Sequence, residues 1–215
     1  PESDCPQVHD MISQTFEWGI GVFENCRKGL IDSMGNIIFP PEYKNIEVYD
    51  SMILLVKNNK TTILPRYHEV IDHFSTFDSV TSVHYAPYPI PIEHRPLFFK
   101  VQKNGRWGLV GHSGKLLTAL AYDKIDLHDA HYRYPHKIYF SVFVENKQGL
   151  LDSAGQIIVP ALFNHIVPLH QSQNFFIVIK SGTYGLFSQG RQIIPPLYEQ
   201  ISTSMSGSHF LLQKE

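Results

Sequence analysis

The strongest constraint on this chain is that it repeats itself. Lys28 to Ile46 reads KGLIDSMGNIIFPPEYKNI, and Trp107 to Ile125 reads WGLVGHSGKLLTALAYDKI. Gln148 to Ile166 reads QGLLDSAGQIIVPALFNHI, and Tyr184 to Ile201 reads YGLFSQGRQIIPPLYEQI. The shared grammar is Gly-Leu, a turn ending in Gly, two aliphatics, a proline-rich stop, then aromatic-x-x-Ile. The spacing from Gly29 to Gly108 is about twice that between the later glycines, so another copy should lie between them. Lys60 to Val80 fits in decayed form, with Thr62 in the glycine place, Ile63 in the leucine place, Val70 and Ile71 as the aliphatic pair, and Phe77 with Val80 closing. A further short apolar run precedes each unit: GIGVFEN from Gly19, ILLVKNN from Ile53, FFKVQKN from Phe98, YFSVFVEN from Tyr139 and FFIVIKS from Phe175. A last such run, HFLLQKE, ends at Glu215. Internal periods of this size mark solenoids, propellers and other arrays.

Each run is short, rich in β-branched and aromatic residues, and bounded by Gly, Asn, Asp or Pro, which is the signature of strands. No window carries the 3.6-residue periodicity of a helix. The pattern predicts an all-β tandem array of about five three-stranded meanders. The repeats lie near 19–46, 53–80, 98–125, 139–166 and 175–201, with a final strand at 208–215 and an N-terminal extension over 1–15. Hairpins are expected near Leu30 to Ile38, Leu109 to Leu117, Leu150 to Ile158 and Leu186 to Ile194. The closing Gly35, Gly114, Gly155 and Gly190 should take positive φ at low cost. Pro40, Pro41, Pro160, Pro195 and Pro196 should end the second strand, because proline cannot donate to a ladder. Leu30, Ile38, Tyr43 and Ile46, with their counterparts, are expected in the core. One meander cannot bury both aliphatic strands, so neighbours must stack. The expected geometry is an open, twisted solenoid. A closed, propeller-like ring is the alternative, since it would hide its edges better.

Composition bounds the partners. Hydrophobic residues make up 43% and charged residues 18%, with a formal net charge of −2. That supports a packed core and supplies no general field for nucleic acid or an anionic membrane. No run approaches the roughly 20 apolar residues of a membrane helix, so membrane insertion is not expected. Pro1 to Asp10 has neither the basic nor the apolar region of a signal peptide. The first residue is not Met, which fits an absent upstream segment. Cys5 and Cys26 allow one bridge but no disulfide framework, and no Cys-x-x-Cys pair exists. The reading is a soluble protein, and its residues do not choose between the bacterial cytoplasm and periplasm.

Trp107-Gly108-Leu109, then Ser113-Gly114-Lys115, then Tyr122-Asp123 resemble the WG repeat, a bacterial β-repeat family named for its Trp-Gly dipeptide. The resemblance runs from about Gly19 to Glu215. One repeat keeps Trp; Lys28, Thr61, Gln148 and Tyr184 stand there in the others. Trp18-Gly19 is a second dipeptide without the turn that should follow it. The resemblance implies a repeat scaffold used in interactions, and it brings no catalytic residues.

The residues agree with that implication. There is no Gly-rich phosphate loop, His-Glu-x-x-His or Gly-x-Ser-x-Gly, so neither an enzyme nor a cofactor is expected. Two repeats carry long loops: Thr81 to Pro96 (TSVHYAPYPIPIEHRP) and Asp126 to Lys137 (DLHDAHYRYPHK). Both contain His-Tyr followed by Tyr-Pro, at equivalent points of neighbouring repeats. Insertions of this kind fall on one face, often the binding face. The expected partner-binding residues are His84, Tyr85, Tyr88, His94 and Arg95 from the first loop. The second supplies His131, Tyr132, Arg133, Tyr134 and His136. Tyrosine and arginine are common interface anchors, so the expected partner is a protein, and a narrower expectation is an immunity or adaptor protein that captures a bacterial partner. The alternative is a metal-binding protein or metal-dependent enzyme. It would use His128, His131 and His136 with Asp126 and Asp129, since imidazole and carboxylate suit zinc or nickel. Solvated histidines are the plainer expectation there.

Overall fold

Strand pairing follows the repeat closely, with one shift of frame. The computed structural model describes residues 15–16, 19–49, 52–65, 75–84, 97–128, 138–169, 175–203 and 209–214. Among them there are strands and turns but no helix. The first sheet joins β1 (Thr15–Phe16), β2 (Gly19–Glu24), β3 (Arg27–Ile31) and β4 (Ile37–Tyr43) in chain order. The second joins β5 (Asn45–Val48), β6 (Met52–Lys57), β7 (Lys60–Pro65) and β8 (Ser75–Phe77). Next come β9 (Ser79–His84), β10 (Leu97–Lys103) and β11 (Arg106–Val110). The fourth sheet holds β12 (Lys124–Leu127), β13 (Tyr139–Val144), β14 (Lys147–Asp152) and β15 (Ile157–Phe163). The fifth holds β16 (His165–Pro168), β17 (Phe175–Lys180), β18 (Thr183–Ser188) and β19 (Arg191–Tyr198). A two-stranded sheet of β20 (Gln200–Thr203) and β21 (Phe210–Gln213) comes last. None closes into a barrel, as a β-repeat solenoid requires.

The expected three-stranded unit is therefore a four-stranded one in the complete sheets, and the reason lies in aromatic-x-x-Ile. The aromatic closes one unit, a single bent residue follows, and the next strand opens at the residue before the Ile. Lys44, Asp78, Asp123, Asn164 and Glu199 are the bends. The backbone N–H of Lys44, Asp123, Asn164 and Glu199 donates to Val56, Phe143, Ile179 and Gln213 of the following sheet, at 2.7–3.0 Å. Two bend side chains also hold the next hairpin. Asp123 Oδ2 accepts from the Glu145 N–H at 2.7 Å, and Asn164 Oδ1 from the Ser181 N–H at 3.0 Å.

The prolines do not end the strand, contrary to the sequence expectation. They bulge it. Lys28 pairs with Tyr43 and Leu30 with Phe39, so Gly29 lies beneath the extra residues that include Pro40 and Pro41. The same happens at Gly149 and Gly185. A bulge absorbs residues that cannot donate, and the strand then resumes to the aromatic. A Cβ on Gly29 would lie 2.8 Å from the Pro41 nitrogen, and one on Gly149 2.8 Å from that of Ala161. Close backbone approach thus explains the glycine of the repeat. Where Thr62 replaces it, β7 pairs with β8 in unbroken register, and Thr62 Oγ1 lies 3.1 Å from Thr76 Oγ1. In the third copy, which lacks the prolines, Trp107–Tyr122 and Val110–Leu116 bridges replace a strand.

The turn reading holds. Gly35, Gly114, Gly155 and Gly190 have φ of 88°, 77°, 79° and 77°. Leu186 pairs directly with Ile194, and Leu117 donates to the Leu109 carbonyl at 2.7 Å. Asp32 Oδ1 accepts from Met34 and Asn36 N–H, and Asp152 Oδ1 does the same for Ala154 and Gln156. Cys26, inside the β2–β3 turn, is disulfide-bonded; Cys5 lies outside the described residues.

The chain forms two compact units, Pro1–Val80 with His112–Lys115, and Thr81–Gly111 with Leu116–Glu215. The first has a core of Leu30, Ile46, Ile53, Leu55 and Leu64. The second has two clusters, one around Phe98, Leu109, Ile125 and Phe140, the other around Leu150, Val159, Ile166 and Phe176. Leu30 and Ile46 are core as expected. Ile38 is not: it is exposed, and Tyr43 is half-buried. Along this third strand exposed residues alternate with half-buried ones in β4 and β19, so one of its faces meets solvent there.

Candidate interaction surface

Both long loops connect neighbouring antiparallel strands at one topological position. The first runs from β9 to β10 and the second from β12 to β13. Other repeats make this connection briefly: Tyr49 N–H donates to the Met52 carbonyl at 2.8 Å, and Leu169 to that of Phe175 at 3.0 Å. His84 is the last residue of β9. Tyr85, Tyr88, His94, Arg95, His131, Tyr132, Arg133, Tyr134 and His136 lie outside the described residues, as do the side chain of His84 and Asp129.

The root of the second loop differs from its sequence reading. Asp126 and Leu127 belong to β12, and the His128 N–H still donates to the Tyr139 carbonyl at 2.9 Å. His128 is buried rather than solvated. Its Nδ1 lies 2.7 Å from Ser141 Oγ, which accepts from Gln148 Nε2 at 3.0 Å. Gln148 Oε1 in turn accepts the Ile166 N–H at 2.9 Å. A buried polar chain thus crosses from β12 to β16. It explains why glutamine suits the tryptophan position in this repeat: the side chain satisfies a backbone donor that burial would otherwise orphan.

Asp126 faces other partners. Its carboxylate pairs with Lys124 at 2.5 Å and Lys100 at 3.7 Å. Lys100 also lies over the Trp107 ring, 5.9 Å from its centroid, and Lys124 over Phe143 at 5.5 Å. Arg106 pairs with Asp123. Of the five residues proposed for a metal, the two described ones point their chemistry to different neighbours. Among the described residues no group of three or more His, Cys, Asp or Glu is placed to hold a metal ion.

One surface feature escaped the sequence reading. The first aliphatic after each turn is exposed: Ile37 by 68%, Ile157 by 60% and Ile193 by 53%, with Leu116 less so. Period-two alternation could have revealed it, because it sets the two aliphatics of a pair on opposite faces, so both could not be core; the second is half-buried at Leu117, Ile158 and Ile194. On the turn side, a Cβ on Gly155 would meet the Leu117 carbonyl at 2.5 Å, and one on Gly190 the Ile157 carbonyl at 3.6 Å. The turns at Gly155 and Gly190 therefore sit against the aliphatic segment of the preceding repeat.

The residue before the glycine pairs with the closing aromatic across the bulge: Lys28 with Tyr43, Trp107 with Tyr122, Gln148 with Phe163, Tyr184 with Tyr198. This places the Trp-Gly position at one structural point throughout. Residues 29–61 match the WG containing repeat. That match spans one period, from Gly29 to the residue before Thr62, and the same pairing recurs in the copies that follow. No curated protein matches the chain. Among solved structures, PorZ, a surface component of the type-IX secretion system of Porphyromonas gingivalis, aligns at 10% identity and a TM-score of 0.30. The alignment covers 89% of this chain and 28% of PorZ. The fission yeast SREBP–SCAP binding domains align at 9% identity and a TM-score of 0.31, over 94% of this chain and 68% of that one. Likeness at this level carries no functional argument.

Proposed function

We propose that this chain is a non-enzymatic WG-type β-repeat module that binds a protein partner through its two long loops. One observation carries the reading: the connections after β9 and β12 occupy the same place in their sheets, where other repeats need only a short link. Long insertions at equivalent points of an array are where partners commonly bind. The loop sequences add tyrosines, which give large contact area with few rotors to freeze, and prolines, which lower the ordering cost. Arg95 and Arg133 add planar donors suited to carboxylates. A narrower form of the reading is an immunity or adaptor protein.

The test begins with capture of a partner from native extract. Tyr132→Ala and Tyr85→Ala are then measured for affinity and for thermal stability. Loss of about 2 kcal/mol or more of binding at unchanged melting temperature is expected of interface anchors. Unchanged affinity with a lowered melting temperature would mean that the tyrosines only cover the core, and the reading would fall.

A further inference from the structure

His128 closes β12 from a buried position, and among the described side chains no other histidine is buried. The hydrogen bonds around it fix its protonation state. The Ile166 N–H can only donate, so Gln148 presents Oε1 to it at 2.9 Å and turns Nε2 to Ser141 Oγ at 3.0 Å. Ser141 Oγ therefore accepts from Gln148, and its own proton faces His128 Nδ1, 2.7 Å away. An Nδ1 that accepts carries no proton, so the ring is neutral and holds its proton on Nε2.

Protonation would turn that acceptor into a donor and set a cation in a buried place. Among the described residues, the charged and titratable groups nearby do not answer it. On β12, Asp126 lies two residues earlier on the same face, but its carboxylate already pairs with Lys124 at 2.5 Å and with Lys100 of β10 at 3.7 Å. On β13, Tyr139 is neutral: burial, then the Asp152 charge, raises its phenol. On β14, Asp152 stands opposite Tyr139 and accepts the turn N–H groups of Ala154 and Gln156. On β16, Ile166 faces inward among Leu150, Val159 and Phe176, while His165 is exposed.

We propose that His128 is a pH-sensitive latch built into the array. Neutral, it ties the end of β12 to β13 and, through Ser141 and Gln148, to the first strand of the fifth sheet. Protonated, it leaves its buried place, and both ties open. The unfolded ring binds a proton that the folded ring refuses. The latch is therefore fully closed above the ordinary histidine value of about 6.5 and weakens as pH falls below it. It concerns the described strands alone and its test needs no partner, so it stands or falls apart from the loop reading.

Hydrogen exchange of the Ile166 amide in the 215-residue protein reads the far end of the relay. Corrected for the intrinsic effect of pH, its protection should fall at least about tenfold between about pH 7.5 and about pH 5, because one ring that must stay neutral loses about thirtyfold over that range. His128→Asn keeps an acceptor near the place of Nδ1 and does not titrate. It should keep the protection at neutral pH and lose the acid fall. His128→Ala should lose protection at both. Ring-nitrogen chemical shifts of the native protein should show the proton on Nε2. An acid fall as large in His128→Asn, no fall in the native protein, or a proton on Nδ1 at neutral pH overturns the proposal.

Discussion

At the scale of single residues, the repeat glycines offer the sharpest test. Gly149→Ala must push a methyl against the Ala161 backbone at 2.8 Å, and backbone cannot step aside cheaply. Gly108→Ala meets a flexible leucine methyl instead, Leu120 Cδ2 at 3.0 Å. Chemical denaturation should show a loss of about 1–3 kcal/mol for Gly149→Ala, the usual cost of overpacking, and a distinctly smaller loss for Gly108→Ala. Equal losses would refute the bulge explanation. The glycine was legible in the sequence because it recurs; its cause was not, because a bulge pairs residues far apart in the chain. Ile38 was misread for a related reason: hydrophobicity says nothing about which strand face is covered. Titratable groups give a second test. Burial, then the hydrogen bond to Glu47, raises the Tyr49 phenol to about 12. A raised folded value means stability complete below the ordinary tyrosine range and lost as pH rises through about 12. Tyr49→Phe should remove a late phenolate from an ultraviolet titration and flatten the alkaline fall in stability. Asp32 behaves oppositely: the Asn36 side chain first, then backbone N–H groups, hold its carboxyl low. Its contribution is present above the ordinary aspartate range and fades as pH falls through the lowered value.

Among elements, the two-residue hairpins decide the register. Asn25-Cys26, Asn58-Asn59, Asn104-Gly105, Glu145-Asn146 and Ser181-Gly182 all have positive φ at both residues. That is the type I′ turn, whose twist matches the flanking strands. Asn and Gly accept this conformation readily, and Asn-Asn or Asn-Gly between apolar runs is a readable signal. Cys26, Glu145 and Ser181 are the exceptions, and Glu145, at φ 48°, carries the longest side chain. The left-handed region costs an ordinary residue about 1–2 kcal/mol. Glu145→Asn should therefore raise stability by up to about 1 kcal/mol, since the bond to Asp123 uses the main-chain N–H and survives. Asp123→Ala should lower it. A destabilised Glu145→Asn, measured in the same denaturant series, would show that the glutamate side chain matters in a way this geometry does not explain. The prolines were readable as breakers of pairing, but not as bulges. The difference depends on a strand that resumes after them, and only the partner strand can reveal that.

For the whole molecule, the decisive property is that each core is local. Leu150 and Leu151 are consecutive on β14, yet Leu150 packs with Val159, Ile166 and Phe176, and Leu151 with Phe98, Leu109 and Phe140. Opposite faces of one strand thus feed two clusters, as strand alternation requires. The sequence announced this arrangement through its repeats, because a short meander must borrow its neighbours to bury both faces. It could not announce the loop surface in the same way: the long loops occur in two repeats only, and the other repeats make the same connection with a short link. Repeat arrays have stabilities close to a sum of local and nearest-neighbour terms, unlike a domain built on one centre. Phe176 is buried and meets Tyr139 edge-on, with ring centroids 5.2 Å apart. Phe176→Ala should cost about 3–5 kcal/mol at its own site. In native-state hydrogen exchange, that cost should appear as lost protection in β16, β17 and β18. Amides of β10 and β11, which serve the other cluster, should keep most of theirs, because the opening they report does not expose Phe176. Uniform loss across all five strands would mean that the clusters melt as one cooperative core, and the additive description of this array would be wrong.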